Sequence, residues 1–162
     1  MGMDVYGLKP KKNTNQPNVL KVPEGKDWWD SFQKMSKKEK DAYYIAKDKY
    51  YEDNPGVYFR NNVWYWRPLW DYVASKCSHI LDRDDYESGH SNSGHKINEE
   101  KAMGIAAVLY ALLEDGSVKT AEEMHMEGEI NSDKDGPSYP FSEENVREFA
   151  IFCEESGGFE IC

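Results

Sequence analysis

Between Asn98 and Gly116 apolar residues recur every three or four positions: Ala102, Ile105, Ala106, Leu109, Leu112 and Leu113. That period puts them on one face of a helix, with Asn98 as its cap and Gly116 as its stop. Such a stripe gains its stability from burial, so the chain must supply packing partners. Two further stripes do so. Leu69, Val73, Cys77, Ile80 and Leu81 follow Pro68, which suits the first turn of a helix. Val146, Phe149, Ala150 and Cys153 follow Ser142, with Glu143 and Glu144 at the positive helix end and Gly157-Gly158 beyond its close.

Two more starts are marked by caps. Ser36 and Glu39 form a capping box ahead of Tyr43, Ile45, Ala46, Tyr50 and Tyr51, and Asn54-Pro55-Gly56 ends that run. Asp27 caps a short turn carrying Trp28, Trp29 and Phe32. Thr120 with Glu123 reads as a capping box for a short helix ending near Gly128. Residues 57–66 are β-branched and aromatic and read as extended, while 82–96 and 128–141 read as polar loops. The expected fold class is mainly α, with about five helices, short extended segments and one compact domain over 27–162. Residues 1–26 form an irregular N-terminal arm in this reading, in which only Val5 and Tyr6 are apolar enough to dock. Residues 12–26 lack apolar periodicity and are expected to be dispensable.

Charge is divided along the chain. Residues 1–96 hold 16 basic and 14 acidic residues, and residues 97–162 hold 4 and 16. The acidic second part repels phosphate backbones, which argues against general nucleic-acid binding but suits a basic protein partner. Cys77, Cys153 and Cys162 form no metal or disulfide pattern, which suits a reducing cytoplasm. There is no signal-peptide pattern and no apolar run of membrane-spanning length, so a cytoplasmic location is expected, with no membrane partner.

Residues 56–73 concentrate three of the five tryptophans with two arginines and an Asn pair. The run Tyr58-Phe59-Arg60-Asn61-Asn62-Val63-Trp64-Tyr65-Trp66-Arg67-Pro68 resembles the signature of a family of small, functionally uncharacterised phage and bacterial proteins. Three other pieces share the resemblance: Met3–Gly7, the Gly89–Asn98 loop and Phe152–Glu160. Residues 12–52 look like an insertion against that pattern. The resemblance implies a phage or prophage origin and carries no activity.

The same block offers binding chemistry. Arg60 and Arg67 give planar forks for phosphate or carboxylate. Trp64 or Trp66 gives a stacking face, and Asn61 and Asn62 can read a base edge. The glycine-bearing loop with Asn92, Gly94 and His95 leads into the Asn98 helix start and could add backbone amides for an anion. The plainer alternatives are a core junction for the arginine–tryptophan block and a simple connector for the loop.

Other chemistries find little support. His79, His90 and His95 match no zinc spacing, so no metal is expected. Asn131, Asp133, Asp135 and Gly136 imitate a calcium loop, but Ser142 stands where its glutamate belongs. No nucleophile motif occurs, and no cofactor is implied. The leading expectation is a non-enzymatic binder of a nucleotide-like or other anionic aromatic ligand, such as a phage sponge that sequesters a defence signal. The alternative is an acidic inhibitor that occupies a host protein. Exposed aromatics are also compatible with a homodimer.

Overall fold

The computed structural model describes residues 2–21, 25–130 and 139–162. Among them are four strands, a 3-10 turn and seven α-helices. The strands are β1 (Gly2–Gly7), β2 (Tyr58–Asn62), β3 (His95–Ile97) and β4 (Phe159–Ile161). The helices are α1 (Trp28–Gln33), α2 (Lys37–Asp53), α3 (Val63–Lys76), α4 (Arg83–Ser88), α5 (Glu99–Glu114), α6 (Ser117–Ile130) and α7 (Glu143–Glu155). The fold is mainly α, as the helical stripes require.

The strands form one antiparallel sheet in the order β2-β1-β4-β3. Alternation sends Met3, Val5, Phe59, Ile97, Phe159 and Ile161 to one face, where all are buried. The helices cover that face. α7 brings Val146, Phe149, Phe152 and Cys153, α5 brings Ile105 and Leu109, and α3 brings Trp66, Leu69, Trp70 and Val73, all in one cluster. The other face keeps Asp4, Tyr6, Tyr58, Arg60, Lys96 and Glu160 at least partly open to solvent.

The start of the chain differs from the expected irregular arm. Gly2–Gly7 is an inner strand, held between β2 and β4. Val5 docks fully, whereas Tyr6 points outward. The next residues cross the end of α7: the amides of Leu8, Lys9 and Lys11 donate to the carbonyls of Gly158, Ser156 and Glu155. Gly157 is left-handed (φ 62°), and a Cβ there would lie 2.2 Å from the Lys9 carbonyl oxygen. No strand signal marks β1, because the ladder on both its sides comes from distant residues.

Residues 9–53 leave the sheet after β1 and return before β2. Their helices α1 and α2 have an aromatic cluster of their own, with Phe32 stacked on Trp28 at 4.9 Å and edge-on to Tyr43 at 5.4 Å. None of these rings joins the main core. Asp27 and the Ser36–Glu39 capping box start the two helices where the sequence places them.

Three boundaries differ from expectation. Helix α3 begins at Val63, because Asn62 accepts hydrogen bonds from the amides of Trp64 and Tyr65. Pro68 therefore lies inside the helix rather than in its first turn. An interior proline costs about 3 kcal/mol; burial of Trp66, Leu69 and Trp70 on the same helix opposes that cost. Helix α6 begins at Ser117, and Thr120 donates its hydroxyl to the Gly116 carbonyl instead of capping. The stretch 82–96 contains α4, opened by an Asp82–Asp85 capping box, and most of β3.

Candidate functional site

The sequence-nominated residues divide into those the fold consumes and those it leaves available. Trp66 is consumed. It is fully buried, stacked on Trp70 at 5.6 Å, and its Nε1 donates to the Gly89 carbonyl at 2.8 Å. It has no face to offer a ligand. Asn62 is spent on capping α3.

The loop before α5 does not form an anion cradle either. The Gly94 amide donates to the Ile161 carbonyl at 2.9 Å, and residues 95–97 pair with β4. Asn92 donates its side-chain amide to the Gly2 carbonyl. His95 Nε2 lies 2.9 Å from Asp85 Oδ1. The first turn of α5 carries Glu99 and Glu100, and Asn98 caps the Lys101 amide. Two carboxylates at this helix start oppose a bound anion. The Gly94 and Lys101 amides are thus taken.

Arg60 lies on the outward face of β2 opposite Asp4, with its Nε 3.4 Å from that carboxylate. Tyr58 donates its hydroxyl to the same Asp4. Burial, helped by Asp4, pushes the Tyr58 phenol well above its usual range. Arg60 and Arg67 share no partner, so they do not form one fork pair.

Arg67 is different. Among the described residues it has no carboxylate partner, whereas Arg60, Arg83 and Arg147 pair with Asp4, Glu87 and Glu143. Its Nη1 donates to the Tyr139 hydroxyl at 3.1 Å. Trp64, one helical turn back, meets the Tyr139 ring edge-on at 5.0 Å and keeps 40% of its surface exposed. Tyr139 anchors both, just ahead of the Ser142 cap of α7. No local pattern marks Tyr139, which sits between Pro137 and Pro140 in a polar stretch of the sequence.

A cleft of about 310 Å³ is lined by Asn61, Tyr65, Ser142, Glu144, Asn145 and Glu148. Asn61 Nδ2 donates to Asn145 Oδ1 at 2.9 Å, tying β2 to α7. Burial and the Glu144 carboxylate hold Glu148 above the usual glutamate range. A second cleft of about 490 Å³ lies between α3 and α4, around Asp71, Ser78 and Tyr86. It contains none of the nominated residues.

Among the described residues no group of three or more His, Cys, Asp or Glu is placed to hold a metal ion. His90 faces Asp71, His95 faces Asp85, and His79 is exposed. The calcium-like residues Asn131, Asp133, Asp135 and Gly136 lie outside the described residues. No helix among those described is long and apolar enough to cross a membrane. Comparison of the chain with protein-family models, curated proteins and solved structures gives no match.

Proposed function

We propose that this protein is a non-enzymatic binder of an anionic aromatic small molecule of nucleotide type, with Arg67 holding the anion and Trp64 the ring. One observation carries the reading. In a chain of net charge −10, Arg67 has no carboxylate partner among the described residues and lies beside an exposed indole. A guanidinium so placed suits phosphate, and an indole suits stacking. In a phage setting such a binder would act as a sponge for a defence signal of the host cell.

A thermal-shift panel of mononucleotides and cyclic nucleotides tests this, with Arg67→Gln beside the wild type. A ligand at a hundred times its Kd stabilises by about 2.7 kcal/mol. The expected result is a raised Tm for the wild type and a lost shift for the variant, whose own Tm is unchanged. A panel without any shift would end this reading.

A second reading has its own observation. Met124 is 67% exposed on α6, amid Glu122, Glu123 and Glu127. Exposed methionine among glutamates suits a basic, apolar partner surface. Salt-sensitive capture of a host protein that is lost in Met124→Glu would favour it.

A further inference from the structure

We propose that this chain associates head to tail, the aromatic surface of α1 and α2 on one copy receiving the methionine face of α6 on the next. This rests on the second reading above, in which Met124 belongs to an interface, and it names the surface that Met124 meets.

Exposure singles out two surfaces. Among the described residues the four most exposed large apolar side chains are Ile45, Met124, Trp29 and Met126, at 70, 67, 56 and 55%. Two lie on α1 and α2, and two on α6. On the first surface the rings are contiguous. Phe32 has Trp28 at 4.9 Å, Trp29 at 6.4 Å and Tyr44 at 5.8 Å, and all three of these neighbours are exposed. Grouped apolar side chains of this size mark interaction surfaces, whereas single exposed ones need no explanation.

Charge divides the same two surfaces. Residues 9–53 hold 11 of the 20 basic residues and 8 of the 30 acidic ones, so the rest of the chain has 9 and 22. On α1, α2 and their flanks Lys26, Lys34, Lys37 and Lys38 are exposed, and Lys40 lies over the Phe32 ring at 5.3 Å. Two of the acids there, Asp27 and Glu39, are turned to backbone amides as caps, which leaves Asp30 and Asp41 against the lysines. On α6, Met124 and Met126 stand with exposed Glu123 and Glu127. Lysine facing glutamate steers two such surfaces together, and methionine sulfur against aromatic rings is favourable.

Two simpler arrangements are disfavoured. Within one copy α6 packs on α5 and α7, and neither α1 nor α2 is among its main neighbours, so the contact is made between copies. A twofold contact pairs each surface with itself, which would set lysines against lysines or glutamates against glutamates. A contact between unlike faces leaves one face of each kind free at the ends of an open assembly. It therefore closes as a ring or goes on adding copies.

Sedimentation equilibrium from low micromolar to near-millimolar concentration tests this on wild type, Trp29→Glu and Met124→Glu, each with its Tm measured. Both substituted side chains are exposed, so both variants should keep the wild-type Tm. The wild-type mass should rise with concentration above the 18.8 kDa of one chain. Each variant replaces apolar surface at the contact by a carboxylate and should weaken association at least about tenfold. An equimolar mixture of the two variants should form a one-to-one complex and nothing larger, because only one intact pair of faces remains. Association that survives undiminished in either variant, or a mixture that does not pair, overturns the head-to-tail contact. A wild type that stays monomeric overturns it as well, but spares the second reading, which Met124-dependent capture of a host protein would still support.

Discussion

Asp85 Oδ1 lies 2.9 Å from His95 Nε2, and its other oxygen takes the Lys101 ammonium and the Asp82 amide. This carboxylate, 5% exposed, joins α4 to β3 and α5. Burial opposes its ionisation, but Lys101, His95 and the Asp82 amide outweigh that and hold it below the usual aspartate range. A carboxyl with a depressed folded pKa stabilises the fold above the unfolded pKa of about 3.9, and that contribution fades as pH falls through the folded value. Asp85→Asn should therefore cost roughly 3 kcal/mol at neutral pH, as when a buried pair is broken. The gap between variant and wild type should narrow in denaturant titrations repeated toward pH 3. A gap independent of pH would show that shape, not charge, is what Asp85 supplies.

Gly89 should tolerate no side chain. Its φ is −65°, which any residue adopts, so backbone strain is not the reason. A Cβ there would lie 2.1 Å from Trp70 Nε1. The Gly89 carbonyl also accepts from Trp66 Nε1, so a shift that relieved the clash would break that bond. Gly89→Ala should lose on the order of 1–3 kcal/mol, the usual cost of overpacking. Near-UV circular dichroism should report the disturbed Trp66–Trp70 stack. A variant with unchanged Tm and spectrum would contradict this packing.

These two sites show which parts of the molecule were legible in sequence. The helical stripes of α5 and α7 repeat along the chain itself, so their period is visible without a partner. The caps at Asp27, Ser36, Asn98 and Ser142 were equally plain, because each acts within four residues. The sheet was not. Its strands are three to six residues long and pair across separations of up to about 150 residues, so no local pattern announces them. The four segments that suggested a family resemblance each overlap one strand of it, β1, β2, β3 or β4. In the candidate site, Arg67, Trp64 and Asn61 were visible as chemistry. Tyr139 and Asn145 were not, because they are defined by what they touch.

The thiols should separate by depth. Cys77 and Cys153 are fully buried, and burial raises both, Cys77 to about 11. Cys162 is only partly buried; desolvation, with Glu160 and Asp4, raises it too. The thiolate is the reactive form, so a raised pKa slows reaction at neutral pH. An aromatic disulfide reagent should find one accessible thiol in the folded protein and three after denaturation. The rate at the accessible thiol should climb between pH 7 and 9, and Cys162→Ser should abolish it. Two fast thiols in the native protein would mean that the core opens at Cys77 or Cys153.

The expectation that residues 12–26 are dispensable gives way to a contrary prediction. Asn54 is fully buried between α2 and β2. Its Oδ1 accepts from the Thr14 amide at 2.8 Å, and its Nδ2 donates to Thr14 Oγ1 at 2.9 Å and to the Tyr50 carbonyl at 2.7 Å. Asn13 accepts from the Tyr50 hydroxyl at 2.8 Å. Polarity hid these contacts, because the segment is held by hydrogen bonds and not by an apolar face. Removing residues 12–26 would leave the Asn54 oxygen unpaired in the interior, at about 1–3 kcal/mol. Asn54→Ala should cost a similar amount, and the deletion combined with it should cost less than the two losses added together, since they share one interaction. Chemical denaturation of the four proteins reads this directly. Strict additivity, or a deletion that leaves stability unchanged, would return the segment to the status of a loose arm.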